Sequence, residues 1–318
     1  MLRTRSAFVL LIASFAFLSA CSSDPEKSKT KKDSAVSENP KDSPAPDSSA
    51  RFPEKIAPAP ANYPHLFFDG EKELYGFADS AGKTKIRAQF DYAGEFSEGL
   101  APVMKGDRHG FIDTTGKWKL TLKYKLTRRC WEPSGECWLL GFSNGRAPAE
   151  DAQGRRGFIG HDGREEIGFL YDEVEPFSEG FAVVQIDSIL SFIDTTGYVQ
   201  NWPLFDKAFS FRGGRAMVVK NEKEGYLDRK GKLVIPCIYG SCFAFSEGVA
   251  FVTLSPHFDA SWFCIDTTGK KIIKGPFDNG GFFKNGKATV SYKGKCIEID
   301  KEGKILRNLP DSDCQEGC

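Results

Sequence analysis

Residues 214–248 read GRAMVVKNEKEGYLDRKGKLVIPCIYGSCFAFSEG, and this stretch decides the fold. Short runs of β-branched and apolar residues alternate in it with polar segments, a pattern typical of strands. The polar segments are residues 221–224 and the tetrapeptide 228–231, which begins with Asp and ends with Gly, as a type I turn closed by a left-handed glycine requires. No run is long enough for a helix, and Pro236 stops the last one. The stretch therefore predicts three antiparallel strands.

The same pattern recurs along the chain in two motifs. The first, Asp-x-x-Gly (the Asp turn), has terminal glycines mostly 34 residues apart, namely Gly82, Gly116, Gly163, Gly197, Gly231, Gly269 and Gly303. The copy that ends at Gly163 is degenerate, with Gly160 in place of the Asp. The second, Phe-Ser-Glu-Gly (the Phe turn), begins at Phe96, Phe177 and Phe245, with looser copies at Phe142, Phe211 and Phe283. Two motifs that share one period indicate tandem repeats. Residues 64–306 are predicted to hold seven such units.

The recurring aromatic positions predict how the units pack. An aromatic begins each of the six Phe turns. Two further positions are aromatic in five copies each: Phe77, Phe111, Phe158, Phe192 and Tyr226 before an Asp turn, and Phe90, Tyr171, Phe205, Tyr239 and Phe277 six residues before a Phe turn. This repetition along the chain favours core residues over a ligand platform. We expect an all-β fold, a tandem array of seven three-stranded antiparallel units. A propeller-like ring, which hides sheet edges, is favoured, and an open β-solenoid is the alternative.

These features together resemble the bacterial WG repeat, also called the KWG repeat. The matching residues are Gly110-Phe111-Ile112-Asp113-Thr114-Thr115-Gly116-Lys117, Val234-Ile235-Pro236, Tyr171-Asp172 and Phe177-Ser178-Glu179-Gly180. The Trp that names the repeat is replaced in the clearly aligned copies by Tyr75, His109, Arg156, Leu190 and Glu224. The resemblance implies a β-rich array, often on bacterial surface or envelope proteins, and it implies no catalytic residues.

The amino end predicts an export signal and a lipid anchor. Arg3 and Arg5 precede an apolar stretch over residues 7–20 that is too short to span a bilayer, so residues 1–20 are a predicted lipoprotein signal peptide. Leu18-Ser19-Ala20-Cys21 resembles the bacterial lipobox, which implies cleavage before Cys21 and its lipidation. The alternative is ordinary cleavage near Ala20. The expected location is the bacterial cell envelope.

Further boundaries follow from composition. Residues 21–63, rich in Ser, Pro and Ala, are predicted to be a disordered stalk, and residues 307–318 a cysteine-containing tail. By analogy with enteric bacteria, Ser22 and Ser23 lack the Asp that retains lipoproteins in the inner membrane, which favours the outer membrane.

Eight cysteines remain once Cys21 is set aside, and an even number in an exported chain indicates disulfides. Three close pairs are candidates: Cys130 with Cys137, Cys237 with Cys242, and Cys314 with Cys318. Free thiols are the alternative. A metal site is not predicted, because the sequence has no Cys-x-x-Cys pair and its four His are isolated.

The sequence favours a non-catalytic binding or scaffold protein. Its 43 basic and 43 acidic residues balance, so a nucleic-acid partner is not predicted. The insertions at residues 119–140 and 254–261 are expected to carry contacts to an envelope protein or glycan, and the predicted contact residues are Trp131, Trp138 and Trp262. These tryptophans could instead simply cap the hairpin. The alternative function is an envelope hydrolase that acts on glycan or peptide substrates through the repeated Glu98, Glu179 and Glu247. No cofactor is expected.

Overall fold

The computed structural model describes residues 63–131, 136–255 and 261–314. The predicted signal peptide, the lipidation site Cys21, the stalk up to residue 62 and Cys318 lie outside the described residues. The described residues form seven antiparallel sheets and one separate hairpin. The all-β fold and the seven repeat units predicted from the sequence are thus confirmed.

The sheets follow one another along the chain. Sheet 1 contains β1 (His65–Asp69), β2 (Leu74–Ala78) and β3 (Thr84–Phe90), and sheet 2 contains β4 (Tyr92–Ala93), β5 (Ala101–Lys105), β6 (Arg108–Ile112) and β7 (Trp118–Thr121). Sheet 3 begins with β8 (Lys125–Leu126). The separate hairpin follows, with β9 (Arg128–Trp131) and β10 (Glu136–Leu139). Sheet 3 then continues with β11 (Ala147–Glu150), β12 (Arg156–Ile159) and β13 (Glu165–Tyr171).

The second half of the array repeats this order. Sheet 4 contains β14 (Glu173–Val174), β15 (Phe181–Ile186) and β16 (Ile189–Asp194), and sheet 5 contains β17 (Lys207–Ala208), β18 (Ala216–Lys220), β19 (Lys223–Leu227) and β20 (Leu233–Tyr239). Sheet 6 contains β21 (Ser241–Cys242), β22 (Val249–Thr253), β23 (Trp262–Asp266) and β24 (Lys271–Phe277), and sheet 7 contains β25 (Lys287–Tyr292), β26 (Lys295–Asp300) and β27 (Ile305–Asn308). A 3-10 helix over Asp311–Cys314 follows.

The strand count corrects the prediction of three strands per unit in two ways. Five sheets carry an additional two-residue strand: β4, β8, β14, β17 and β21. Sheet 4 lacks the predicted third strand, because residues after the Asp turn pair with β16 through a single bridge between Ile193 and Val199. Pro203 has no amide hydrogen and cannot continue a ladder there. The last strand also extends to Asn308, two residues past the predicted repeat boundary.

Two kinds of tight turn connect the strands. In sheet 5 the loop between β18 and β19 places Asn221 and Glu222 at φ of 51° and 60°, the left-handed pair of a type I′ hairpin. The next turn is the Asp turn, in which the Asp228 carboxylate accepts the amides of Lys230 at 2.9 Å and Lys232 at 3.0 Å. Gly231 closes it at φ 75°, as the sequence predicted.

The repeated aromatics form the core. The first residue of every Phe turn is buried, as in Phe142, Phe177, Phe211 and Phe245. The aromatics before the first five Asp turns are buried as well: Phe77, Phe111, Phe158, Phe192 and Tyr226. The core prediction is therefore confirmed.

The units also pack tightly at the Asp-turn glycines. A methyl group at Gly269 would lie 3.3 Å from Ile235 of the preceding sheet. At Gly231 the neighbour is Trp202, which would lie 2.1 Å from such a methyl group. A side chain of one sheet therefore packs against the Asp turn of the next sheet. The closed ring and the open solenoid both stay predictions. No helix within residues 63–131, 136–255 and 261–314 combines the length and the apolar character needed to cross a bilayer.

Candidate functional site

The carboxylates named as hydrolase candidates hold neighbouring Phe turns together. Glu98 accepts the amide of Gly145, at 3.1 Å and 3.2 Å from its two oxygens. Glu179 accepts the amide of Gly214 at 2.9 Å. Each carboxylate therefore reaches the corresponding glycine of the next Phe turn. Asn144 makes the equivalent bond with its side-chain oxygen, 2.8 Å from the amide of Gly180.

The third glutamate, Glu247, follows the same pattern. It accepts the amides of Asn285 at 2.6 Å and Gly286 at 2.9 Å. These amides, chiefly that of Gly286, and the nearby Lys301 ammonium lower the pKa of the Glu247 carboxyl. Serine hydroxyls add a parallel bond, as from Ser246 to the carbonyl of Phe283 at 2.5 Å.

A basic side chain from a later Asp turn reaches each of these glutamates. His161 lies 2.9 Å from the Glu98 carboxylate, and Lys301 lies 3.1 Å from that of Glu247. Arg229 donates to the backbone carbonyl of Glu179 at 2.6 Å. Where the Phe turn carries Asn144 or Gly213 instead, the matching Asp-turn position holds Thr195 or Thr267. The three glutamates therefore have a structural role, in contacts that join each Phe turn to the next Phe turn and to a later Asp turn.

The Asp turns use their carboxylates in a similar structural way. The Thr115 hydroxyl donates to Asp113 at 2.6 Å, and the amides of Thr115 and Lys117 donate to the same oxygen. These bonds, the hydroxyl first, lower the pKa of Asp113 to about 2. Within the part of the chain that the structure describes, no three His, Cys, Asp or Glu side chains are grouped as metal ligands.

The hairpin of β9 and β10 is the largest departure from the repeat. Its two strands are joined by the Cys130–Cys137 disulfide, which the sequence predicted. On one side Arg129 forms an ion pair with Glu175. On the other, Arg128 lies 4.8 Å over the ring of Tyr92. The hairpin therefore contacts Tyr92 of sheet 2 and Glu175, which directly follows β14 of sheet 4.

A groove of about 460 Å³ opens beside this hairpin. Its lining comes from three parts of the array: Leu66, Glu95, Ser97, Trp138, Leu139, Leu140, Gly141, Phe142, Ser143 and Pro176. Trp138 is half-buried, and Leu139 and Phe142 are buried. The groove combines an apolar floor with one carboxylate, that of the exposed Glu95.

The three predicted contact tryptophans lie in different places. Trp138 lines the groove. Trp131 ends β9, and the placement of its side chain lies outside the described part of the chain. Trp262 begins β23, half-buried, with its ring centroid 5.0 Å from that of Phe243. Residues 256–260 of the second predicted contact insertion lie outside the described residues.

The sequence does not indicate that Leu66, Glu95 and Pro176 share a site with Trp138. They lie in different units, and no motif marks them. The sequence feature that points to this groove is the insertion that forms the hairpin.

Two of the predicted disulfide pairings are wrong. Cys237 and Cys242 are free thiols, because Cys237 packs in the core of sheet 5 near Phe211 while Cys242 packs with Phe245 in the next core cluster. Cys314 pairs instead with Cys296 of β26. Burial raises the pKa of the Cys242 thiol, and it raises that of the free Cys264 to about 12.

The repeat is also recognised in comparisons with known proteins. Five segments match a protein family described as WG containing repeat, over residues 75–108, 157–188, 203–223, 225–254 and 262–296. The chain is a WG-repeat protein. The matched segments leave out residues 109–156, which contain the hairpin insertion of this WG-repeat protein. The resemblance inferred from the sequence is thereby confirmed.

Three solved structures are similar to this chain at low sequence identity. A eukaryotic initiation factor is 12% identical, covering 77% of this chain and 73% of that one, with a TM-score of 0.47. BamB from Moraxella catarrhalis is 11% identical, with coverage of 77% and 87% and a TM-score of 0.43. The WD40 β-propeller domain of Doa1 is 13% identical, with coverage of 59% and 74% and a TM-score of 0.29. No curated protein matches the sequence of this chain.

Proposed function

We propose that this WG-repeat protein is a non-catalytic binding or scaffold protein of the bacterial cell envelope, anchored by lipid at Cys21. The observation that carries the proposal is the groove beside the disulfide-linked hairpin. Binding sites are commonly concave, with apolar walls and few polar groups, and they are often carried by loops on a rigid scaffold. The partner is an envelope protein or glycan.

The alternative of a hydrolase has less support. Glycoside hydrolysis by two carboxylates needs both free to face one substrate. Glu98, Glu179 and Glu247 instead accept hydrogen bonds from backbone amides of the following Phe turn, at three alternate boundaries between Phe turns. They are therefore engaged in holding the repeats together.

Site-specific photo-crosslinking in intact cells tests the binding proposal. A photoreactive amino acid at position 138 should give a discrete adduct, because Trp138 lines the groove. The same amino acid at position 170 is the matched control, since Leu170 is an exposed apolar residue, 63% accessible, that does not line the groove. Equal adducts at the two positions, or none at 138, would contradict the proposal.

The anchor is tested separately. Cells that express the full chain should incorporate labelled palmitate into it, and Cys21→Ser should abolish this labelling. Release of the chain into the soluble fraction should follow, because a lipid-free chain loses the burial of its acyl methylenes in the bilayer. Labelling that persists in Cys21→Ser would contradict a lipid anchor at this residue.

A further inference from the structure

Most of the groove beside the hairpin is apolar. Leu66, Trp138, Phe142 and Pro176 give it its apolar character. Its polar side chains are those of Glu95, Ser97 and Ser143. The Ser143 hydroxyl already donates to the carbonyl of Phe177 at 2.6 Å. So few free polar groups suit a chain of apolar side chains better than a sugar, whose many hydroxyls would lose their hydrogen bonds with water.

The charge in this groove is uncompensated. Glu95 is its one charged lining residue, and the described part of the chain gives it no ion pair. Its contacts to the amide of Leu66 are long, at 3.3 Å and 3.4 Å. By contrast, the nearby Glu175 is paired with Arg129 and Glu98 with His161. A carboxylate beside an apolar surface favours a cationic partner group.

The indole of Trp138 adds a second reason for a cation. An arginine or lysine can lie over the face of a tryptophan while its charge meets a carboxylate. This chain uses that stacking geometry itself, because the Arg108 guanidinium lies 3.7 Å over the ring of Trp118. Trp138 and Glu95 line one groove, so a partner side chain could use both.

From these contacts we infer that the groove binds an extended segment of a partner protein in which an arginine or lysine lies next to apolar residues. The inference rests on the proposed binding function and names the partner class for the same site. The cation pairs with Glu95 and stacks on Trp138, and the apolar neighbours fill the space between Leu66 and Pro176. The volume of about 460 Å³ lies within the range of small ligand sites.

The test uses the full chain, purified in detergent, and a displayed library of random twelve-residue peptides. Peptides selected on the chain should be enriched in arginine or lysine beside aromatic or aliphatic residues. A fluorescein-labelled consensus peptide then gives the affinity by fluorescence anisotropy. We expect Glu95→Gln to weaken binding about five- to tenfold, since it removes the charge and keeps an acceptor for Leu66. We expect Trp138→Ala to weaken it about thirtyfold.

A matched control and a charge reversal complete the design. Glu71→Gln removes a carboxylate from an exposed loop and should leave the affinity unchanged. Glu95→Lys should reject the basic peptide and select acidic ones. Affinities are compared only among variants whose full chain melts at the same temperature as the native chain, so that loss of fold is not read as loss of binding.

Several results would overturn the inference. These are selection of peptides without a cation, equal affinity in Glu95→Gln, or tighter binding of glycan fragments than of peptides. Peptide binding that appears only after deletion of residues 24–62 would mean that the chain's own amino-terminal segment fills the groove. If no peptide is selected but the adduct at position 138 forms in cells, the inference fails while the proposed function stands. If both are absent, both fail.

Discussion

The carboxylate of Glu179 accepts a hydrogen bond from the backbone amide of Gly214, at 2.9 Å, across the boundary between two repeat units. Glu179 itself holds φ at 51°, so the left-handed turn aims its side chain at the next turn. The same relation recurs from Glu98 to Gly145 and from Glu247 to Gly286. The Phe-Ser-Glu-Gly motif therefore repeats because each copy binds its successor.

Removal of the Glu179 carboxylate should loosen one unit boundary. We expect Glu179→Ala to lower the free energy of unfolding by about 1 kcal/mol, because the half-buried amide of Gly214 loses its acceptor. Glu179→Asn should be nearly neutral, since Asn144 makes the equivalent bond to Gly180. Urea unfolding followed by tryptophan fluorescence measures both. Equal losses in the two variants would contradict the role of this hydrogen bond.

Stability should fall in acid in a window set by the Asp turns. The pKa of Asp113 is about 2 in the folded chain, against 3.8 for an ordinary aspartate. A lowered pKa stabilises the fold above the unfolded value, and this contribution is lost as the pH falls through the folded value. The melting temperature should stay constant at pH values above about 5 and should decline between about pH 4 and pH 2.

The variant Asp113→Asn tests the cause of that decline. Its melting temperature should lie below that of the native chain at pH 7, and the difference should shrink as the pH approaches 2. Asp107→Asn is the control, because Asp107 is an exposed loop residue. A difference for Asp113→Asn that is independent of pH would contradict the assignment.

Glycine at position 231 should be required for packing as well as for its conformation. A methyl group there would lie 2.1 Å from the ring of Trp202, and φ is 75°. Gly99, at φ 86°, has nothing within 4 Å of such a methyl group. Gly99→Ala should cost about 1–2 kcal/mol from backbone strain alone. Gly231→Ala should cost roughly 1–3 kcal/mol more because of the clash.

The double variant Gly231→Ala with Trp202→Ala separates the two effects. Trp202→Ala removes the ring that the new methyl group would meet. Gly231→Ala should therefore lower the free energy of unfolding less in the Trp202→Ala chain than in the native chain. Chemical unfolding of the four chains completes the cycle. Strictly additive losses would show that the two residues do not interact.

The free thiols should differ in reactivity according to their burial. Alkylation requires the thiolate, and burial raises the pKa of Cys264 to about 12. Cys242 is buried as well, whereas Cys237 is half-buried. In the native chain at pH 8, iodoacetamide should modify Cys237 first and leave Cys242 and Cys264 nearly unmodified. Peptide mapping by mass spectrometry measures this, with denatured chain as the control for all three.

Much of the fold follows from the spacing of the two motifs. The Asp turns, the buried first Phe of each Phe turn and the number of units could all be predicted, because each depends on local backbone conformation or on a repeated apolar position. The missing strand of sheet 4 was not predicted, although Pro203 and Trp202 are visible in the sequence. Whether these two residues prevent a third strand depends on how the chain after the Asp turn pairs with β16.

The candidate site was predicted in part. The hairpin and its Cys130–Cys137 bond follow from close spacing around a turn. The pairing of Cys296 with Cys314 links β26 to a 3-10 helix, and the wrong pairing of Cys237 with Cys242 came from closeness in sequence alone. A disulfide forms only where the side chains of two cysteines point towards each other, and the number of residues between them does not show this direction.

The sequence by itself determined the repeat: its period, its turns and its aromatic core, because these depend on interactions within one unit and on identical contacts between units. The tertiary structure decided what departs from the repeat. It placed Glu95 and Trp138, from separate units, in one groove, and it engaged Glu98, Glu179 and Glu247 in bonds between turns. Such contacts join residues far apart in the chain, and the packing of whole sheets fixes their distance.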